Sequence, residues 1–169
     1  VGDHGLVRHH EGDQVMAEIG KLVGVKSEVL DGFLRLTKTD HQPVLEWNFN
    51  DCPDLAQTVV PLCSIKGIVG KFTGLESLRI KETDRIGALK TELAKVGVSF
   101  AKLPARFSKK WPDKIFYNLE DKADLSMVPQ FSTYGDHRMA MAFAAFAMLG
   151  PVEIENPEVV SKSYPQFWE

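Results

Sequence analysis

Cysteine is nearly absent: Cys52 and Cys63 are the two in 169 residues. They form no CxxC pattern and are too few for a disulfide framework, so both are expected as reduced thiols in a cytoplasmic setting. Neither sign of charge dominates. Twenty basic against 23 acidic residues leave a formal net charge of −3, which gives no reason to expect nucleic acid or an anionic membrane surface as partner. No apolar run approaches the roughly 20 residues needed to span a bilayer. The opening "VGDHGLVRHHEGD" lacks the apolar stretch of a signal peptide. Neither GxGxxG nor GxxxxGK occurs, so no dinucleotide or P-loop reading is available. His4, His9 and His10 cluster near the start, but no second group stands at ligand spacing, and no metal is expected.

What remains is ordinary globular composition, 44% hydrophobic and 25% charged, enough for a single domain with a real core. The chain does not begin with Met, and "SYPQFWE" closes it without a polar tail. A piece of a longer protein is therefore expected.

Periodicity predicts alternating helices and strands, an α/β or α+β arrangement. Val15, Ile19, Leu22 and Val23 share a helical face, with Asp13 as a candidate cap and Gly24 as terminator. "VKSEVL" and "FLRLTK" flank Asp31-Gly32, a hairpin signal. "PVLEWNF" reads as a strand. "CPDLAQTVVPLCSIKG" reads as a helix with Pro53 in its first turn, closed by Gly67, with a kink or early stop expected at Pro61. "IVGKFTG" is strand-like. "KETDRIGALKTELAKVGV" carries the stripe Ile86, Leu89, Leu93 and Val96 of a helix ending at Gly97. "VSFAKL" follows as a strand. Residues 104–124, with Pro104, Pro112 and Lys109-Lys110, read as a long loop around a strand at "KIFYNL". "MAMAFAAFAML" is apolar all round, hence a buried helix running to Gly150, and "VEIE" is a short strand. The order helix, glycine, strand pair occurs at 13–37 and again at 82–119, a hint of an internal repeat.

Two stretches concentrate charge. In "LRIKETDRIG", helical spacing would put Lys81 and Arg85 on one face, with Glu82 within reach of Arg85. Two cations around a carboxylate at a helix start could hold a phosphate or carboxylate beside a titratable acid. A solvated salt-bridge ladder is the other reading. In "YGDHRMAMAFA", Asp136, His137 and Arg138 stand at the mouth of an apolar helix. Arg138 there opposes the macrodipole unless an anion is bound, or else Asp136 simply caps the helix and pairs with Arg138. Asp51 and Asp54 open the "CPDLAQT" helix, where caps and first-turn acids are common. Lys162 lies in the loop "SKSYP".

The strings "LRIKETDRI", "YGDHRMAMAFA" and "VVSKSYPQF", preceded by "GDQVMAEIGKLVGV" and "DCPDLAQTVVPLC", closely resemble signatures of the C-terminal domain of the EPSP synthase family, from about residue 11 to the end. The resemblance implies transfer of the enolpyruvyl group of phosphoenolpyruvate to shikimate 3-phosphate, with release of phosphate and no cofactor. Both substrates are polyanions and call for cations. One proton must be lost and another gained, which calls for carboxyl groups. By the family pattern, Asp54 holds the shikimate ring hydroxyls and accepts a proton, and Glu82 donates one. Lys81 contacts shikimate 3-phosphate. Arg85, Arg138 and Lys162 bind phosphoenolpyruvate, and His137 supports the site. Ser77 stands where some members place an Asn that contacts shikimate 3-phosphate, a contact its hydroxyl could still make.

Family members are longer and fold as two similar domains, each an inside-out α/β barrel of three βαβαββ units, with the site in the cleft between them. The resemblance implies that residues 1–169 form most of the C-terminal domain, with about two of the three units present. The N-terminal domain would be the missing partner, and the chain alone would be inactive. A related transferase acting on UDP-N-acetylglucosamine and a non-catalytic anion-binding domain of the same fold are the alternatives.

Overall fold

A computed structural model describes residues 10–104, 106 and 113–169, with side chains from residue 15 onward. The histidines at positions 4 and 9, the side chain of His10, and the basic pair and Pro112 of the expected 104–124 loop lie outside the described residues. Helices and strands are mixed, an α+β arrangement. Where a single domain is expected, the contacts divide the chain into two compact units, one ending at Gln42 and the other spanning Pro43–Glu169.

In the first unit, α1 (His10–Leu22) precedes the antiparallel pair β1 (Val25–Leu30) and β2 (Phe33–Lys38). The helix begins one turn before Asp13, which is therefore inside it and not its cap. Ile19 and Val23 are buried as the stripe predicts. The turn is the Asp-Gly type anticipated: Asp31 and Gly32 take φ of 47° and 82°, the left-handed pair such a turn demands. Leu30 thereby faces Phe33 in register. β2 is exposed along its whole length.

The second unit opens on β3 (Val44–Asn48), α2 (Ala56–Lys66) and β4 (Val69–Thr73). β3 and β4 pair in parallel, so α2 is the crossover that parallel pairing requires. α3 (Arg85–Ala94), β5 (Ser99–Lys102) and β6 (Tyr117–Glu120) follow. The four strands form one sheet in the order β3-β4-β6-β5, with β6 antiparallel to both neighbours. Residues 44–120 thus run β-α-β-α-β-β. The motif of a helix followed by an antiparallel pair occurs twice, as α1-β1-β2 and α3-β5-β6, matching the repeat hinted at by the sequence.

The crossover departs from expectation at its start and at Pro61. Pro53–Leu55 is a separate 3₁₀ turn, and α2 continues through Pro61 to Lys66. Proline deprives the Gln57 carbonyl of its helical donor, a defect worth ~3 kcal/mol in an isolated helix. Packing of α2 against α3, α4, β4 and β6 overrides it. Gly67 closes the helix at φ 72°, as predicted. Gly74, after β4, has φ 74°, and a Cβ there would sit 2.3 Å from the Asn50 nitrogen. The chains leaving β3 and β4 touch at that point, and only glycine lets them.

The last segment holds β7 (Gln130–Phe131), α4 (His137–Ala144), a 3₁₀ turn over Ala145–Met148, β8 (Glu153–Ile154) parallel to β7, and a 3₁₀ turn over Pro157–Lys162. β7, two residues long, is invisible to any periodicity argument. The apolar helix is shorter than expected and buried on one side. Phe131, Phe143 and Phe146 stack with centroids 4.7–5.3 Å apart, while Met148 is 84% exposed. Three of its eight residues are alanines, whose small side chains offer little area to bury on the outer side.

Gln57 is fully buried on α2, and neither end of its side-chain amide has a hydrogen-bond partner among the described residues. An unpaired buried amide costs more than an apolar group of similar shape. Gln57→Met is expected to raise the unfolding free energy by about 1 kcal/mol in denaturant titration. A fall would mean the amide is paired in solution.

Candidate active site

The site is organised by one buried cation. Arg85 is the first residue of α3 and is 1% exposed. Three carboxylates surround its guanidinium. Nε donates to Asp136 Oδ2 at 2.7 Å, Nη1 to Asp54 Oδ1 at 2.9 Å, and Nη2 meets Glu82 Oε2 at 2.6 Å. Asp54 comes from the 3₁₀ turn before α2, Glu82 from the loop before α3, and Asp136 from the N-cap of α4.

Asp54 collects the other cations. Its Oδ1 lies 3.6 Å from Lys81 Nζ and its Oδ2 lies 3.4 Å from Arg138 Nη2. Lys81, Asp54 and Arg138 are each a little over one-third exposed, and Glu82 is 54% exposed. The cluster is therefore buried at Arg85 and Asp136 and open on its outer side.

Local structure explains the placement. Asp84 caps α3, its side chain accepting from the Gly87 N–H at 3.1 Å, the preferred arrangement at a helix start. Helix therefore begins at Arg85, and Lys81 is extended backbone at φ −88°, ψ −153°. The expected helical face shared by Lys81 and Arg85 does not form. The two cations meet through Asp54 instead, because the capping Asp84 makes the helix begin at Arg85 and not at Lys81. Glu82 and Arg85 do pair as expected, and a purely solvated ladder is excluded by Arg85's burial.

Of the sequence-predicted residues, Asp54, Lys81, Glu82, Arg85 and Arg138 belong to this one ion network. His137 is the half-buried first residue of α4, beside Arg138. Ser77 is exposed on the 3₁₀ turn Glu76–Ile80, and Lys162 is exposed at the end of the turn packed on α4. Among the described residues no hydrogen bond or ion pair joins either to the network. Asp136 is the member that sequence reading undervalued. It caps α4 as anticipated, but through the Arg138 backbone N–H at 2.8 Å. Its second oxygen goes to Arg85, and the Arg138 guanidinium goes to Asp54. The signal was present in the acid, histidine and arginine crowded at one helix mouth.

No group of three or more His, Cys, Asp or Glu able to hold a metal occurs among the described residues. No helix among them is long and apolar enough to cross a membrane.

The arrangement is a mixed α+β fold with carboxylates and cations alternating around a buried arginine. Residues 4–169 match the family described as EPSP synthase (3-phosphoshikimate 1-carboxyvinyltransferase), and the chain belongs to that family. Among curated relatives, a 3-phosphoshikimate 1-carboxyvinyltransferase of Bacteroides fragilis is 43% identical over 168 residues, 98% of this chain and 39% of the relative. One from Syntrophobacter fumaroxidans is 35% identical over 142 residues, covering 82% of this chain and 30% of the relative. One from Saccharolobus islandicus is 34% identical over 162 residues, covering 96% and 37%. The chain thus spans about two-fifths or less of the length of these relatives.

The network sorts its members by burial. Asp136→Asn leaves Arg85 buried with one charge uncompensated and is expected to cost ~3 kcal/mol or more. Glu82→Gln, at a partner more than half exposed, is expected to cost about 1 kcal/mol or less. Parallel denaturant titrations check the order, and equal losses would mean Arg85 is not held chiefly from the buried side.

Proposed function

We propose that this chain forms one side of an enolpyruvyl-transfer active site. There the family-length protein joins phosphoenolpyruvate to shikimate 3-phosphate and releases phosphate. One observation carries the reading: five of the residues assigned by the family pattern, spread from Asp54 to Arg138, form one ion network through Asp54 and Arg85. A chain kept only for its fold has no need of two proton-transferring carboxylates beside three cations.

In this reading Asp54 holds the shikimate hydroxyls and takes a proton, Lys81 and Ser77 face shikimate 3-phosphate, and Arg138 and Lys162 take phosphoenolpyruvate, with His137 in support. Arg85 is also assigned to phosphoenolpyruvate. Each of its three nitrogens already meets a carboxylate, and Glu82, the most exposed of the three, is the one an incoming anion would displace most easily. Release from Arg85 frees Glu82 to turn towards the bound substrates, where a carboxyl group is placed for proton transfer.

The β-α-β-α-β-β segment is read as one complete unit of the family's inside-out barrel, with the flanking segments as parts of neighbouring units. The whole chain is read as most of a C-terminal domain whose partner is the family's N-terminal domain. The proposed setting is cytoplasmic, in keeping with two free thiols. No cofactor is invoked.

The test uses the family-length protein containing this chain. Glu82→Gln is expected to lower turnover by ~10²–10⁴-fold, the usual worth of general acid–base catalysis. Arg138→Ala is expected mainly to raise the Michaelis constant for phosphoenolpyruvate. The 169-residue chain alone should release no phosphate above blank. Turnover with UDP-N-acetylglucosamine in place of shikimate 3-phosphate would favour the related transferase. Turnover with neither acceptor would favour an anion-binding domain.

A further inference from the structure

α3 grips the segment leading to Arg138 at two places. Arg85 holds Asp136 at its N-terminal end. Glu92 lies seven positions on, two turns and ~10.5 Å along the same helix face. It is 0% exposed, yet carries a carboxylate. Its Oε1 accepts the Tyr134 hydroxyl at 2.6 Å. Its Oε2 accepts the Ser132 N–H at 3.0 Å and lies 2.7 Å from Lys95 Nζ. Lys95 in turn donates to the Gln130 carbonyl at 2.7 Å. A buried carboxylate thus spends its bonds on one segment, 130–134, and on the lysine that ties that segment down. None of these residues belongs to the ion network.

The held segment is unusual in backbone. Tyr134 and Gly135 take φ of 55° and 70°, a left-handed pair that costs a bulky residue such as tyrosine some strain. The Asp136 N–H closes the turn on the Thr133 carbonyl at 2.9 Å. From there the chain enters α4 and delivers Asp136 and Arg138. The direction in which those two side chains leave the turn depends on Tyr134 keeping φ positive. The tyrosine ring is 41% exposed, so its hydroxyl contributes more through Glu92 than through packing.

We propose that Glu92 and Tyr134 are positioning residues for the anion site. Their hydrogen bond holds the left-handed turn that aims Arg138 at phosphoenolpyruvate. The inference rests on the anion-site reading of Arg138 given above. Charge-assisted hydrogen bonds are the strong ones, and the Tyr134 phenol stays neutral and donating far into alkali. Burial, followed by the bond to the Glu92 carboxylate, pushes its pKa up to about 12.

The test compares Tyr134→Phe, Arg138→Ala and the double variant in the family-length protein, with phosphoenolpyruvate as probe. Removing one hydroxyl from a part-exposed ring leaves the fold intact. Tyr134→Phe is expected to speed hydrogen exchange of the Arg138 amide by about tenfold and to weaken phosphoenolpyruvate by roughly fivefold. It should add nothing to the loss in the Arg138→Ala background. Unchanged exchange overturns the tether. Faster exchange with unchanged affinity, or the same affinity loss in both backgrounds, overturns the positioning role and leaves a merely stabilising bond. If Arg138→Ala itself leaves phosphoenolpyruvate binding intact, the anion-site reading fails, and the exchange rates alone decide the tether.

Discussion

A guanidinium cannot be taken out of water without compensation, and most of this site follows from that constraint. Desolvating an ion costs several kcal/mol even after relaxation. Arg85 is 1% exposed and recovers that cost from carboxylates on three different elements. The turn before α2, the loop before α3 and the cap of α4 must therefore stand at fixed mutual positions. Moving any one of them leaves a buried charge short of a partner. The site geometry is a by-product of satisfying one cation, and this is why residues distant in sequence arrive together.

The same network limits what this chain does by itself. Lys81, Arg85 and Arg138 supply three positive charges, and Asp54, Glu82 and Asp136 supply three negative ones, so the six sum to zero. A neutral cluster is a poor trap for polyanions. It can orient an anion and exchange protons with it, but the attractive field must come from additional cations. A chain spanning 39% of its Bacteroides relative leaves room for those charges elsewhere in a family-length protein. Under the proposed reading, a site divided between two domains assembles its full field only when both come together, which ties charge stabilisation to exclusion of water.

Much of this was legible in the sequence because local chemistry and tertiary structure agree. The Asp31-Gly32 turn requires two left-handed residues and has them. The stripe Ile86, Leu89, Leu93 and Val96 is buried throughout. The charged strings left a solvated ladder and an anion site both open, and the resemblance to the family decided between them. Failures cluster where tertiary packing decides. α2 runs through Pro61 because neighbours on several sides hold it. The α4 helix stops early although its composition reads as fully apolar. β7 has two residues and forms only because β8 lies beside it. The division at Gln42 leaves no trace in composition. In the site itself the error was one of register. Placing the helix start at Lys81 instead of Arg85 hid the role of Asp54 as the common partner of all three cations.

Glu82 shows why that register matters. On a helix face it would be one rung of a ladder, held by neighbours on its own element and dependent on nothing else. In the loop it is joined by one 2.6 Å contact to a cation whose other two partners lie on different elements. Arg85 can release Glu82 and remain two-thirds satisfied, whereas releasing Asp136 would break the buried side of the network and the α4 cap together. The three carboxylates are thus graded by what their departure costs. Asp136 is structural, Asp54 is shared among all the cations, and Glu82 is the one free to leave. Under the proposed reading the proton donor is the carboxylate that can change partners, and among the three that is Glu82.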